Sequence, residues 1–334
     1  MAGTDGIMLT DTLLGYAGLL YDKTNTATPV LNLIAGQDEQ VQSNEFIMGQ
    51  EYETGDGTLN PISEATSLTA PDPTFIQPAQ KTNCTQIFHE SIAVSYAKLS
   101  NANKLSGLNL AGQTANPQDV EAAQAAWAMT GIAKKVENMI FNSTYQQPVS
   151  NTTAGKTRGL AAAITANVVN ANGADLDIWM INDVLAAIEN HGGSKVGLTL
   201  VTNNVGVSNL NKTATEYGLT IVPLSRNETG VDIRVVDTPN GTVNVVSDPY
   251  VVNGSAFLLN LPNIHLVHQP VPGKGNFFIE ELAKVGAANK KQIYGQLGLD
   301  YTTEYLHGKI TGLSTTFTKP AGIRVVTTQD IPSA

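Results

Sequence analysis

Residues 150–157 form the stretch of this chain that comes closest to a phosphate-binding loop, with the sequence Ser-Asn-Thr-Thr-Ala-Gly-Lys-Thr. Such a loop requires a glycine at its first position. It also requires a buried strand directly before it, because that strand aims the backbone N–H groups at the phosphate. Here Ser150 replaces the glycine, and Tyr-Gln-Gln-Pro at 145–148 precedes the loop. The sequence therefore predicts a flexible polar connection at this point and no nucleotide site.

Histidines and the single cysteine are the side chains that could bind a metal ion. His265 and His268 are three residues apart in a predicted strand, where they point to opposite faces and cannot share one ion. Cys84 is the only cysteine, which excludes a cysteine cluster and an internal disulfide and is typical of a reducing compartment. We predict no metal site and no cofactor.

Adjacent acid and base side chains occur at His89–Glu90 and at Glu280–Glu281. Both pairs lie in predicted strands, where neighbouring side chains diverge and cannot act together on one substrate. The chain has no Gly-x-Ser-x-Gly motif, and the residues around Cys84 are not basic enough to make its thiolate reactive. No nucleophile, base and oxyanion site come together. We predict no catalytic residue and interpret the chain as a structural or interaction protein.

The composition points in the same direction. The 334 residues include 19 Lys and Arg against 29 Asp and Glu, which gives a net charge of −10, and only 14% of residues are charged. With 42% hydrophobic residues the chain is not a disordered acidic protein, and its negative charge disfavours a nucleic-acid reader. No apolar run is long enough to span a membrane, and the N-terminus lacks the basic start of a secretory signal.

The negative charge is concentrated in residues 24–80, which contain no Lys or Arg. Prolines and glycines interrupt this stretch, while Phe46–Met48 and Phe75–Ile76 are predicted to be short extended segments. The pattern favours an arm that leaves one strand, turns at residues 55–57 and returns. A solvated loop is the alternative, although loops longer than about 15 residues are uncommon in compact domains unless they are functional.

The rest of the chain alternates helices and strands. Residues 85–97 predict a strand, and Asn116 with Pro117 predicts the start of a helix that runs to 141 along an apolar stripe of Ala122, Ala126, Met129, Ile132, Val136 and Ile140. Short strands and two helices follow from residue 176 onward. Residues 277–283 and 292–305 predict long strands or a strand pair.

In its order of features the chain resembles the HK-97-like major capsid proteins of tailed phages. The resemblance covers about residues 46–313. Local sequences that carry it are Pro-Ile-Ser-Glu-Ala-Thr at 61–66, Lys-Thr-Asn-Cys-Thr-Gln-Ile at 81–87 and Ile-Ala-Val-Ser at 92–95. Ala-Lys-Lys-Val-Glu-Asn-Met-Ile-Phe at 133–141, Thr-Arg-Gly-Leu at 157–160 and the run from 281 to 305 complete the series.

The resemblance implies an α+β, HK-97-like capsid fold with an N-terminal arm, an extended loop (E-loop), a peripheral domain with a long spine helix, and an axial domain. The implied divisions are an arm at 1–45, an extended loop at 46–84, a peripheral domain at 85–175 with its spine helix at 117–141, an axial domain at 176–270, a return to the peripheral domain at 271–313 and a C-terminal tail at 314–334.

The same resemblance implies a function. The protein is expected to assemble as hexamers and pentamers into an icosahedral shell around the double-stranded DNA genome of a tailed bacteriophage. It would be located in the virion capsid and, during assembly, in the host bacterial cytoplasm. It would contact the DNA without reading its sequence. The alternatives are an encapsulin-type nanocompartment shell with the same fold and an α/β enzyme with an unrecognised site.

Departures from the family pattern refine the expected partners. The 45 residues before the loop are too few for the scaffolding segment that some members carry, so a separate scaffolding protein is expected, together with a portal and decoration proteins. Residues 46–80 contain no lysine, so the loop cannot form the covalent crosslink of some members. Acidic loop residues are expected to contact basic residues of a neighbour. The candidates are Glu51, Glu53, Asp56, Glu64, Asp72, Lys134, Lys135, Lys290 and Lys291.

Overall fold

The computed structural model of the protein describes residues 27–55, 57–72, 75–97, 99, 120–216, 226–228, 231–284 and 286–317. It contains the helices α1 (Pro29–Leu33), α2 (Glu64–Ser67), α3 (Val120–Asn142), α4 (Leu160–Ala163), α5 (Ile178–Asn190) and α6 (Asn204–Glu216). The first strands are β1 (Asp38–Gln40), β2 (Glu45–Glu51), β3 (Ala79–Cys84), β4 (Gln86–Ser95), β5 (Val168–Asn170), β6 (Thr199–Thr202) and β7 (Arg226–Glu228). The remaining strands are β8 (Val231–Thr238), β9 (Gly241–Ser247), β10 (Ala256–Leu259), β11 (His265–His268), β12 (Phe277–Glu281), β13 (Ala288–Asp300) and β14 (Gly308–Thr311).

A five-stranded sheet is built around the 13-residue strand β13. One edge of β13 pairs with β4 over ten residues, and its other edge pairs with β12 and then with β11. β1 extends the sheet as a parallel neighbour of β11. The predicted strand at 85–97 and the predicted pair at 277–283 and 292–305 are thus confirmed as β4, β12 and β13.

The helix α3 confirms the predicted long helix over Val120–Asn142, while residues 117–119 lie outside the described part of the chain. Its C-terminal half is buried as predicted, at Ile132, Val136 and Ile140. Its N-terminal half differs, because Ala122, Ala126 and Met129 are exposed and the adjacent face packs inward instead. Ala125 and Ala128 of that face contact the core. An alanine-rich helix has apolar residues on both faces, so periodicity alone could not show which one is buried.

A seven-stranded sheet forms the other half of the molecule, with strand order β5-β14-β10-β6-β9-β8-β7. The four residues of β6 and of β10 are all buried, because both faces of these central strands are covered. Phe257 packs on one side against Phe141 of α3, with ring centroids 5.5 Å apart, and Leu258 packs on the other side in the core around α5. The two halves therefore share an interior.

Sheet membership does not follow the predicted domain boundaries at every strand. β14 lies within the predicted peripheral return at 271–313 but pairs with β10 and β5 of the seven-stranded sheet. β11 lies within the predicted axial range 176–270 but belongs to the five-stranded sheet. The reason is that strands distant in the chain complete each sheet, which a division into consecutive ranges cannot represent.

Two local predictions can be placed in the structure. Phe75–Ile76, predicted as a short extended segment, precedes the return strand β3, which begins at Ala79. The polar connection at 150–157 is the tip of a small hairpin closed by an antiparallel bridge between Gln146 and Lys156. The strand predicted at 219–224 lies outside the described residues. Within the described residues, no helix is both long enough and apolar enough to span a membrane.

Candidate subunit-contact surface

An antiparallel pair, β2 and β3, forms the base of the extended loop. Glu45 pairs with Cys84 at the body of the molecule, and Glu51 pairs with Ala79 at the outer end. The register shifts between Ile47 and Gln50, which is the signature of a β-bulge, and bulges bend the strand that contains them. The prediction of an arm that leaves one strand and returns is confirmed by this pair. The connecting residues also contain the four-residue helix α2, capped by the Ser63 side chain.

Asn83 joins the base of the loop to the body. This completely buried side chain accepts hydrogen bonds from the backbone N–H groups of Cys84 (2.9 Å) and Arg158 (2.7 Å). Its amide donates to the carbonyl of Leu299 in β13 (2.7 Å). Asn83 therefore satisfies polar groups of three separate segments.

Glu304 is a second anchor, located between β13 and β14. Its carboxylate accepts hydrogen bonds from the backbone N–H and the hydroxyl of Thr165, both at 2.6 Å, and from the N–H of Ala166 at 3.0 Å. Lys81 of β3 lies 3.3 Å from the same carboxylate and 3.5 Å from Glu51 of β2. Burial alone would raise the pKa of Glu304, but these hydrogen bonds outweigh it and hold the pKa below its ordinary value. The carboxylate is therefore charged and connects both strands of the loop base to the body.

His307 sits directly after this anchor and is completely buried. Its Nε2 lies 3.0 Å from the carbonyl of Tyr301 and its Nδ1 accepts from the N–H of Asn260 at 3.2 Å, an arrangement that suits the neutral imidazole. Burial lowers the pKa of His307 from 6.5 to about 4.

We expect this histidine to destabilise the subunit in acid. A pKa lowered in the folded state gives stability that is complete above pH 6.5 and is lost as the pH falls towards 4, by about 3 kcal/mol in total. Urea unfolding at pH 7 and pH 4.5 measures the loss. His307→Phe should reduce it, whereas His89→Asn at an exposed histidine should not. An equal loss in His307→Phe and wild type would contradict this assignment.

The described residues from 52 to 80 are all exposed in the single subunit. Large apolar side chains are among these exposed residues. The sequence analysis considered only the acids of the loop and did not single out these apolar residues. Leu59 is 92% exposed, Leu68 85% and Phe75 90%, and Tyr52, Ile62 and Ile76 are exposed as well. Exposed apolar side chains on a projecting loop make this loop a candidate contact surface. The sequence contained a signal for this exposure. Prolines and acids separate these apolar residues along the loop, so the loop cannot fold over them and cover them.

The acidic candidates lie on the same loop. Glu51 is partly buried at its base, where Lys81 and the Thr303 hydroxyl contact it. Glu53, Glu64 and Asp72 are exposed, with Glu64 in the first turn of α2. Asp56 lies outside the described residues.

The basic candidates lie on the body and have partners in their own chain. Lys135 forms an ion pair with Glu90 of β4. Lys291 lies 3.0 Å from Glu121 of α3 and 3.8 Å from Glu281. Lys134 and Lys290 are half-buried. The intrachain pairs reduce the charge that Lys135 and Lys291 offer to a neighbour, so their role in subunit contacts stays a prediction.

A groove of about 480 Å³ runs between α3 and β4. It combines apolar side chains with lysines. Its lining includes Ile87, Phe88, Ile132, Met139, Lys135 and Lys156. Ile87 is 60% exposed. His89 and Glu90 line the groove as well, so its lining is mixed, with Ile87 as the exposed apolar residue.

The histidines and the cysteine considered for chemistry lie at separate places in the described part of the chain. His265 lies 3.9 Å from Glu39, and His268 lies 3.5 Å from Asp38. No group of three or more metal-ligating side chains occurs among the described residues. Cys84 is buried, and its thiol donates to the carbonyls of Gln146 and Lys156. These contacts hold segments together.

A two-sheet body, a spine helix and a projecting loop are the parts expected of an HK-97-like shell protein. The sequence model of the SU10 major capsid protein family matches residues 4–314. This chain belongs to that family. As a member of this family, the protein is a shell-forming structural protein of the virion capsid, as the sequence resemblance indicated.

Solved structures share the fold of this capsid protein. The capsid subunit of cyanophage A-1(L) matches with a TM-score of 0.60 at 14% identity, over 93% of this chain and 99% of that chain. The SrpI encapsulin of Synechococcus elongatus PCC 7942 matches with a TM-score of 0.61 at 11% identity, over 92% and 95%. The capsid of the native GTA particle matches with a TM-score of 0.52 at 13% identity, over 93% and 97%. These likenesses confirm the α+β, HK-97-like capsid fold. A search of curated protein sequences found no match.

Proposed function

We propose that this capsid protein assembles as hexamers and pentamers into a closed icosahedral shell around the double-stranded DNA genome of a tailed bacteriophage. The observation that carries the proposal is the extended loop, which is anchored firmly at its base and fully exposed beyond it. In a shell, the loop of each subunit lies on its neighbour and covers Leu59, Leu68 and Phe75. Contacts of this heterologous kind close around symmetry axes.

The parts of the subunit have separate tasks in this proposal. The segments 85–175, with α3 as its spine, and 271–313 form a peripheral domain, and 176–270 forms an axial domain around the symmetry axes. The arm at 1–45 and the extended loop at 46–84 overlap neighbouring subunits, and 314–334 is a C-terminal tail. The deep anchoring of β2 and β3 at Asn83 and Glu304 supports a loop that transmits force to the body.

The groove between α3 and β4 is the surface that we assign to the incoming loop. Its exposed Ile87 fits the exposed apolar residues of the loop, and Lys156 is complementary to the loop's acids, whereas Lys135 also pairs with Glu90 of its own chain. Lys134, Lys290 and Lys291 extend this basic surface along α3 and β13.

The remaining partners follow from the role of a shell. A separate scaffolding protein, a portal and decoration proteins would bind the shell, and assembly would take place in the host bacterial cytoplasm. Contact with the packaged DNA would not read its sequence, and the net charge of −10 disfavours tight binding to the phosphate backbone. No step in this role requires catalysis.

Negative-stain electron microscopy of the expressed full-length protein, together with extraction of nucleic acid from particles purified from infected cells, tests the proposal. Closed particles that contain double-stranded DNA are the expected result. Particles that hold a protein cargo and no DNA would favour the encapsulin-type alternative, whose fold is shared. A protein that stays monomeric in size exclusion under all conditions would contradict the shell and favour an enzyme with an unrecognised site.

Charge reversal of Lys134, Lys135, Lys290 and Lys291 to glutamate should lower the yield of particles and reduce the dependence of assembly on salt. Each exposed ion pair contributes only roughly 0.2–1 kcal/mol, but every subunit loses several of them. Reversal of Lys195 and Lys274, which pair with Glu189 and Glu280 on other surfaces, is the matched control. An unchanged yield and salt response in the fourfold variant would remove these lysines from the contact.

A further inference from the structure

Two carboxyl groups face each other in the interior where α1, α3 and the residues after β9 meet. Glu137 lies on α3 and Asp248 follows β9, and both residues are completely buried. Buried carboxylates normally have a cationic partner or several hydrogen-bond donors. Two acids buried side by side therefore need an explanation of how their charge is accommodated.

Glu137 holds α1 against the spine helix. Its Oε1 accepts a hydrogen bond from the N–H of Val30 and its Oε2 accepts one from the N–H of Leu31, each at 2.8 Å. These are amides of the first turn of α1, which has no capping side chain of its own. A carboxylate that is 107 residues away in the chain therefore supplies the missing acceptors.

The hydrogen bonds of Asp248 leave one of its carboxyl oxygens without a partner. Its Oδ1 accepts from the N–H of Tyr250 at 2.7 Å, whereas its Oδ2 is buried without any donor among the described residues. The group that Asp248 faces is the carboxyl of Glu137, which is also an acceptor. Two acceptors can form a hydrogen bond only if one of them carries a proton.

Among the described residues, neither carboxyl forms an ion pair with a lysine, arginine or histidine. The residues of α1 are uncharged, and the segment 246–251 has Asp248 as its only charged residue. On β8, which packs near α1, Arg234 and Asp237 are exposed. On α3, Lys134 lies one turn from Glu137 and is half-buried, while Lys135 pairs with Glu90.

We propose that Glu137 and Asp248 share one proton at neutral pH, and that this shared proton keeps α1 on the spine helix. Loss of the proton in alkaline solution leaves two like charges in contact and releases α1, while the rest of the subunit remains folded. Burial, and then the neighbouring Asp248, raise the pKa of Glu137 to about 9, and burial also raises the pKa of Asp248. Because the pKa of Glu137 in the folded subunit exceeds its ordinary value of 4.5, the stabilisation is complete below pH 4.5 and is lost progressively as the pH rises to about 9.

Hydrogen exchange of the full-length protein, analysed by mass spectrometry, tests the role of the shared proton. The protection factor of residues 28–34, corrected for the intrinsic pH dependence of exchange, should fall about a hundredfold between pH 7 and pH 10, because the opening of α1 becomes about ten times more favourable per pH unit up to the pKa of Glu137. A peptide from α5 serves as the internal reference and should not change. This readout follows α1 in the subunit itself, so it can fail or succeed independently of the proposed shell.

Two variants separate the effect of the shared proton from simple packing. Asp248→Asn places an amide donor where Oδ2 lies, so residues 28–34 should stay protected at pH 10. Glu137→Gln turns a donor towards one of the α1 amides, so their protection should be low already at pH 7 and no longer depend on pH. Asp183→Asn, at an exposed acid, is the matched control and should behave as wild type. Equal protection of wild type at pH 7 and pH 10, or a wild-type fall in Asp248→Asn, would overturn the proposal.

Discussion

Replacement of Leu59, Leu68 and Phe75 together by serine will abolish shell formation and leave the subunit folded. Each side chain is at least 85% exposed in the single subunit, so its loss removes almost no packing from the fold. Burial against a neighbour would contribute roughly 1.5–3 kcal/mol for each large apolar side chain. Every subunit of the shell loses all three contributions, so the effect accumulates until closed particles no longer form.

Electron microscopy and size exclusion will measure the loss of particles, and thermal unfolding will report the subunit. Leu59→Met, Leu68→Met and Phe75→Leu, combined in one variant, provide the matched control because they keep the apolar surface while they change its shape. This control should assemble. Normal particles from the serine variant would show that the exposed residues of the loop are not part of the contact.

Glu304→Gln will destabilise the subunit by about 3 kcal/mol and loosen the base of the extended loop. The carboxylate receives three donors from Thr165 and Ala166 in addition to Lys81. A hydrogen bond to a charged group contributes about 1.5–3 kcal/mol, and the amide of glutamine would turn one donor towards another. Because the pKa of Glu304 is lowered by these bonds, the stabilisation is present above its ordinary value of 4.5 and is lost as the pH falls below it.

Urea unfolding of the unassembled subunit measures the free energy, and hydrogen exchange of β2 and β3 measures the loop base. Glu280→Gln is the matched control, since this surface carboxylate also accepts from a lysine and a glutamine but lies away from the loop. Its effect on the free energy of unfolding should stay within about 0.5 kcal/mol. If the two variants lost the same stability, Glu304 would be an ordinary surface ion pair.

Local patterns in the sequence predicted several elements correctly. The apolar steps that follow Pro117 predicted the spine helix, and the alternation at 91–96 predicted the second half of β4. The uneven charge of residues 24–80 predicted a projecting loop, and β2 and β3 form its base. Such patterns can be recognised in the sequence because they depend only on residues that are close together in the chain.

Other features depended on residues that are far apart in the chain. The sequence predicted the acids of the loop as contact residues, and only the structure shows that the described residues of the body leave Leu59 and Phe75 exposed. Ala122 and Ala125 are equivalent in a helical pattern, and packing alone determined which of them contacts the core.

By itself, the sequence determined the family, the spine helix and the projecting acidic loop. The order of its short motifs and its hydrophobic periodicity carry that information. Only the tertiary structure decided which strands complete each sheet, how Glu304 anchors the loop and why Glu137 and Asp248 are buried together. These arrangements join residues more than a hundred positions apart, as in the contacts of Glu304 with Thr165 and of Glu137 with Val30. The sequence does not distinguish a solvated carboxylate from a buried one. The structural role of each carboxylate here depends on the hydrogen-bond donors that surround it in the folded protein.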